Sequence, residues 1–242
     1  MKVIQKLTKK AQNIYDEKSV TIAFIGDSGT QGCFEVYYTK ENSIKTVYEY
    51  HNAYSTRTKE MLNFLYPTVQ INIINSGISG DCAWLGLKRL QRDVLDFKPD
   101  LVVVSFGLND AVTGLDHGVE DYANALKGIF TACKESGAEC IYLTEWLMND
   151  KVSPTLIDER LISLAKKFME LQSLGILDKY FKRGIEIAKE CGVAVCDIYQ
   201  AWKVMQKEGV DITELLSNKL NHPQREFHYY IAMKLVETMF NM

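Results

Sequence analysis

Ser28 sits in AFIGDSGTQG (residues 23–32), a hydroxyl flanked by glycine and carboxylate. Opening an acyl ester by a covalent route needs three things: a hydroxyl nucleophile, a base for its proton, and donors aimed at the developing oxyanion. Ser28 offers the first, and its neighbouring glycines let the backbone bend and let a substrate approach. Two later loops hold candidate donors. Gly80 in NSGISGD (75–81) offers an unobstructed backbone N–H, and Asn109 in FGLND (106–110) offers a side-chain amide without a charge.

The base must come from four histidines. His51 lies inside a helical pattern and serves packing or solvent, and His117, in the polar stretch GLDHGVE, is expected to be exposed. His228 belongs to the last helix. His222 stands before Pro223, a residue suited to the first turn of a helix, which puts His222 at or near an N-cap. There the positive end of the helix dipole disfavours imidazolium and leaves a neutral ring ready to accept a proton. On spacing alone, capping without catalysis fits His222 equally well.

Five strand-like runs position these groups: Val20–Ile25, Val69–Asn75, Leu101–Phe106, Cys140–Thr144 and Val193–Ile198. Apolar residues three and four apart predict helices over 51–65, 83–97, 119–135 and 224–240, with two more in 155–190 broken near Gly175. Residues 1–18 are expected to hold a short amphipathic helix. Alternation of strands and helices predicts an α/β fold with a mainly parallel sheet, in one domain spanning 1–242. In such sheets ligands bind beyond the carboxyl ends of the strands, where the Ser28, Gly80 and Asn109 loops all fall. Gly-Asp-Ser-Gly also surrounds the serine of trypsin-like proteases, but those are all-β proteins with the serine last in chain order.

The remaining signals are bland. Net charge is −3, which gives no case for nucleic acid or an acidic membrane as partner. No apolar run approaches the roughly 20 residues that span a bilayer, and the N-terminus lacks a secretory h-region, so a cytoplasmic setting with reduced cysteines is expected. GDSGTQG lacks the endings of phosphate-binding and dinucleotide loops, and no zinc or EF-hand spacing occurs, so neither cofactor nor metal is expected. Asp27 and Asp110 read as loop-stabilising acceptors; Glu145-Trp146, at a strand end, reads as a packed indole beside a surface carboxylate ahead of the alternative, a wall of the acyl or leaving-group pocket. Lysines and arginines read as solvated surface. Cys33–Lys45 is aromatic and aperiodic, either an insertion over the site mouth or an ordinary connection.

IGDSGTQG, INSGISGD, FGLND and NHP, in that order, resemble the blocks of the SGNH (GDSL) esterase/lipase superfamily over about residues 20–232. The resemblance implies a three-layer α/β/α, flavodoxin-like sandwich of about five parallel strands. It implies Ser28 as nucleophile and His222 as base and then acid. The oxyanion hole would comprise the Ser28 and Gly80 N–H groups and the Asn109 amide. The substrate would be a small-molecule acyl ester, a class that in the family includes lipids, thioesters and acetylated sugars; the cytoplasmic appearance favours small or carbohydrate-borne esters. An acyltransferase using the same residues and a non-catalytic binding protein on the same fold are the rival readings. One position departs from the pattern. The Asp that orients the histidine in much of the family lies three residues before it, where this chain has Lys219, and four residues before stands Asn218. The Asn218 carbonyl oxygen is a candidate to hold the imidazole tautomer, and a backbone carbonyl is another; Asp211 lies in a different segment.

Overall fold

The computed structural model describes residues 1–113 and 118–241, which leaves the expectation for His117 outside the described residues. Five parallel strands form the central sheet: β1 (Val20–Gly26), β4 (Ile71–Gly77), β5 (Leu101–Ser105), β6 (Glu139–Leu143) and β7 (Ala194–Cys196), in the order β4-β1-β5-β6-β7. β1 is an interior strand, apolar along nearly its whole length and covered on both faces; Ile22, Ala23, Phe24 and Ile25 are fully buried. The same holds for Leu101–Val104 in β5. Burying each such Val, Ile or Phe contributes about 1.5–3 kcal/mol.

Helices cover both faces. Before, between and after the strands run α1 (Lys2–Gln12), the short α2 (Ser28–Gln31), α3 (Tyr54–Leu65), α4 (Ala83–Asp93), the short α5 (Leu108–Thr113), α6 (Gly118–Glu135), α7 (Glu159–Ser173), α8 (Ile176–Glu190), α9 (Ile198–Lys207) and α10 (Arg225–Phe240). α3 packs on α10, and α10 on α1, in one layer; α4, α6 and α8 pack side by side in the other. The expected helices are present, and Gly175 breaks the α7–α8 pair at φ 66°. α9 begins at Ile198, where the sequence predicts the end of a strand.

An antiparallel ribbon, β2 (Cys33–Tyr38) with β3 (Ile44–Tyr48), occupies the aperiodic segment. Its pairing shifts register between Cys33 and Val36, which breaks the alternation that would have marked it as strand. His51 lies in a 3₁₀ turn, Tyr50–Asn52, ahead of α3.

Two features of the sheet decide where chemistry can occur. The chain leaves β1 toward β4 and later returns to its other side as β5, so the connections diverge at the carboxyl ends of β1 and β5 and open a crevice. The three strands also end level: Gly26 pairs with Gly77 and with Ser105. The loops after them therefore emerge side by side.

Candidate active site

The turn after β1 is built by its own residues. Asp27 departs from strand geometry, and its Oδ1 accepts the Gly29 N–H at 2.9 Å, capping α2. Ser28 thus becomes the first residue of a four-residue helix at the mouth of the crevice, 5% exposed. Gly29 has no alternative, since a Cβ there would lie 2.3 Å from the Trp146 ring. After β4, Gly80 has φ +80° and open space around its Cα. Among the described residues neither the Ser28 nor the Gly80 N–H has a hydrogen-bond partner.

His222 comes from the other end of the chain and meets Ser28 directly, with Nε2 3.0 Å from the serine Oγ. Its Nδ1 lies 2.8 Å from the Phe34 carbonyl oxygen at the start of the β2–β3 ribbon. A carbonyl only accepts, so Nδ1 carries the ring proton, Nε2 is a lone-pair acceptor, and the Ser28 O–H donates to it. Burial pushes His222 down to about 4, partly opposed by the Phe34 bond and the Glu35 charge.

Two expectations about this loop are corrected. His222 is near the N-cap but not at it: the cap is Gln224, two residues on, the helix starts at Arg225, and Pro223 pairs across with Leu216 instead of entering the first turn. The ring is neutral mainly because it is dry, not because of a helix dipole. Asn218 does not hold the imidazole either. Its Oδ1 accepts the N–H groups of Leu220, Asn221 and His222 at 3.0, 2.9 and 2.9 Å, and Lys219 takes a left-handed φ of 57° within that turn. Asn218 thus shapes the backbone under His222, while the backbone-carbonyl alternative supplies the bond to the ring.

Asn109, on α5, is more engaged than a free donor would be. Its Nδ2 donates to Asp27 Oδ2 and to the Asp81 carbonyl, both at 2.9 Å. Asp110 accepts the Ala83 N–H at 3.0 Å, and burial pushes it up to about 7. Asp27 and Asp110 are therefore loop-stabilising acceptors.

Two residues read as surface prove to be buried parts of the site. Arg89, read as surface, is buried; it meets Asp81 at 2.6 Å and donates to the Ser76 and Gly26 carbonyls, stapling the β1 and β4 loops. Glu145, read as surface, is 1% exposed, and its Oε2 accepts the Leu108 N–H at 2.7 Å. Trp146 is packed as expected, and its Nε1 also donates to the Asn221 carbonyl at 2.6 Å, tying the His222 loop to the sheet. Strand-end position was the signal shared by Glu145 and Trp146; Arg89 had none. All six cysteines are unpaired.

Known proteins resemble this chain in sequence and in fold. The GDSL-like Lipase/Acylhydrolase family matches residues 24–229. An arylesterase of Vibrio mimicus is 33% identical over 73 residues, 30% of this chain and 36% of that protein, so the chain spans about a third of that curated relative. Among solved structures, a protein of Parabacteroides merdae described as a GDSL-like lipase superposes with a TM-score of 0.70 at 22% identity, covering 92% of this chain and 96% of the other. The acetylxylan esterase Axe2 of Geobacillus stearothermophilus superposes at 0.67 and 19% identity, covering 91% and 94%. At such identities these structures speak for the fold alone. With its sheet, its ordered loops and a match over most of its length, the chain belongs to the GDSL-like lipase/acylhydrolase family.

Proposed function

We propose that the protein is a serine-dependent carboxylic-ester hydrolase acting through an acyl-enzyme on Ser28. The observation that carries this reading is the Ser28–His222 contact of 3.0 Å, with the ring tautomer set by Phe34. Ser28 Oγ attacks the ester carbonyl carbon as its proton passes to His222 Nε2. The unpaired N–H groups of Ser28 and Gly80 receive the oxyanion. The Asn109 amide joins them by loosening one existing bond. Its bond to the neutral Asp81 carbonyl is weaker than its bond to the Asp27 carboxylate, so that is the one to yield. His222 returns the proton to the leaving alcohol. Water then attacks the acyl-enzyme with His222 again as base, releasing the acid and restoring Ser28.

The near-complete burial of both Ser28 and His222 favours a small acyl group on an accessible alcohol. The names of the relatives, an arylesterase and an acetylxylan esterase, agree with small or carbohydrate-borne acyl esters. Among the described residues no helix is long and apolar enough to cross a membrane. The test is a series of p-nitrophenyl esters of rising chain length with a fluorophosphonate probe. Turnover should be highest for acetate, and both turnover and labelling should vanish in Ser28→Ala. Labelling that persists in Ser28→Ala refutes the assignment.

A further inference from the structure

Ser28, His222, Gly80 and Asn109 account for the chemistry, but they leave a buried carboxylic side chain without a role. Glu145 leaves the end of β6 and points under the crevice. One of its oxygens accepts the N–H of Leu108, the residue before Asn109. Its carboxyl also hydrogen-bonds the Asp27 side chain. Asp27 in turn accepts from Gly29 N–H through Oδ1 and from Asn109 Nδ2 through Oδ2. Both Asp27 oxygens thus already accept N–H donors, the bonding of an ionised carboxylate. Two carboxyl groups in contact in a dry site do not both ionise. The proton between them must therefore sit on Glu145, whose O–H is the only hydrogen the pair can share.

The surroundings agree. Among the titratable groups acting on Glu145 are Asp27, Asp110 of α5, Tyr54 of α3, Tyr122 of α6 and Tyr142 of β6, which are acids and phenols. Asp81, which also faces Asp27, has its charge balanced by Arg89. Burial and the Asp27 charge push Glu145 well above the usual carboxyl range, while Asp27 reaches only about 6.

Resting on the reading of Ser28 and Asn109 above, we propose that Glu145 is a positioning residue: as a neutral carboxylic acid it donates to Asp27 and accepts from Leu108 N–H. In that way it fixes the Asn109 amide and the Ser28 turn in one register. Loss of its proton would place two adjacent negative charges beneath the oxyanion site. The Asp27 carboxylate would be repelled from its place, and Asn109 would lose its anchor. The same acid thereby sets an upper pH limit on activity.

Glu145→Gln tests this, because a neutral carboxamide keeps one acceptor for Leu108 and one donor for Asp27 but has no proton to lose. Glu145→Gln is expected to keep kcat within about threefold at neutral pH and to lose the alkaline limb of the kcat profile. Glu145→Ala is expected to lower kcat by about 10²-fold, the scale of one lost oxyanion donor, with KM little changed. If Glu145→Ala does not fold, the Gln profile decides alone. A Gln variant as damaged as Ala, or one with an unshifted alkaline limb, overturns the proposal. Infrared difference spectra of wild type against Glu145→Gln should show a buried protonated carboxyl band at pH 8, and its absence overturns the proposal as well. That band needs no turnover, so it separates a failure here from a failure of the Ser28 assignment, which would show instead as labelling independent of Ser28.

Discussion

With a carbonyl rather than a carboxylate behind it, His222 should be an unusually weak base. Its fall from 6.5 to about 4 corresponds to roughly 3 kcal/mol against imidazolium, at about 1.4 kcal/mol for each tenfold. Lowering the pH is the direct perturbation. At pH 5 about nine-tenths of the His222 rings should still be neutral, against about 3% for an unperturbed imidazole. NMR titration of the imidazole carbon–proton resonances is practical with only four histidines, and His222→Asn assigns the signal. The expected midpoint is near 4. Because the readout is residue-specific, titration of Asp27 near 6 does not confuse it. The limb of kcat/KM that belongs to His222 should fall at the same acid pH. A His222 midpoint at or above 6.5 would show that something stabilises imidazolium as a carboxylate would, and would refute the reasoning from burial and Phe34.

Asn109→Ala should lower kcat by about 10²–10³-fold in steady-state ester hydrolysis, with unchanged far-UV circular dichroism. Asn218→Ala strands three backbone N–H groups and should cost about 1–3 kcal/mol in urea denaturation, while leaving the NMR midpoint of His222 within a few tenths of wild type. Asp110 is raised in the fold from 3.8 to about 7, so its contribution to stability is present below 3.8 and is lost as pH rises through 7. Asp110→Asn removes that loss, and the difference in Tm between variant and wild type should therefore grow more favourable to the variant from pH 4 to pH 8. His228 is lowered to about 3, the opposite case: its contribution is complete above 6.5 and is lost as pH falls toward 3, which thermal melts of His228→Gln should flatten.

Much of this site was legible because its parts obey local rules. The apolar runs of β1 and β5 mark buried parallel strands, and loops rich in small and polar residues at their ends mark the crevice. Ser28, Gly80, Asn109 and His222 follow from such positions together with the family resemblance. What escaped were interactions between parts far apart in sequence. Phe34 lies 188 residues from His222, and its contribution is a backbone atom that no residue type announces. Glu145 carries a charge by composition, and only its 1% exposure reveals that it is too dry to keep one. Arg89 has the spacing of any helical surface arginine until Asp81 and two carbonyls close around it. Asn218 was found at the right place with the wrong partner, since four residues of separation brings its oxygen to the turn's N–H groups before it reaches the ring.

The Phe34 bond also has a genetic consequence. Every codon at position 34 encodes the same carbonyl, so no side-chain exchange there deletes the group that sets the His222 tautomer. Selection can reach that group only by moving the ribbon, through the 39–43 turn or the anchors that Arg225 makes to Glu35 and Glu49. A laboratory can reach it by replacing the peptide link after Phe34 with an ester, whose carbonyl is a poorer acceptor. In this chain the partner of the His222 ring is inherited as a loop length and a salt bridge rather than as a letter.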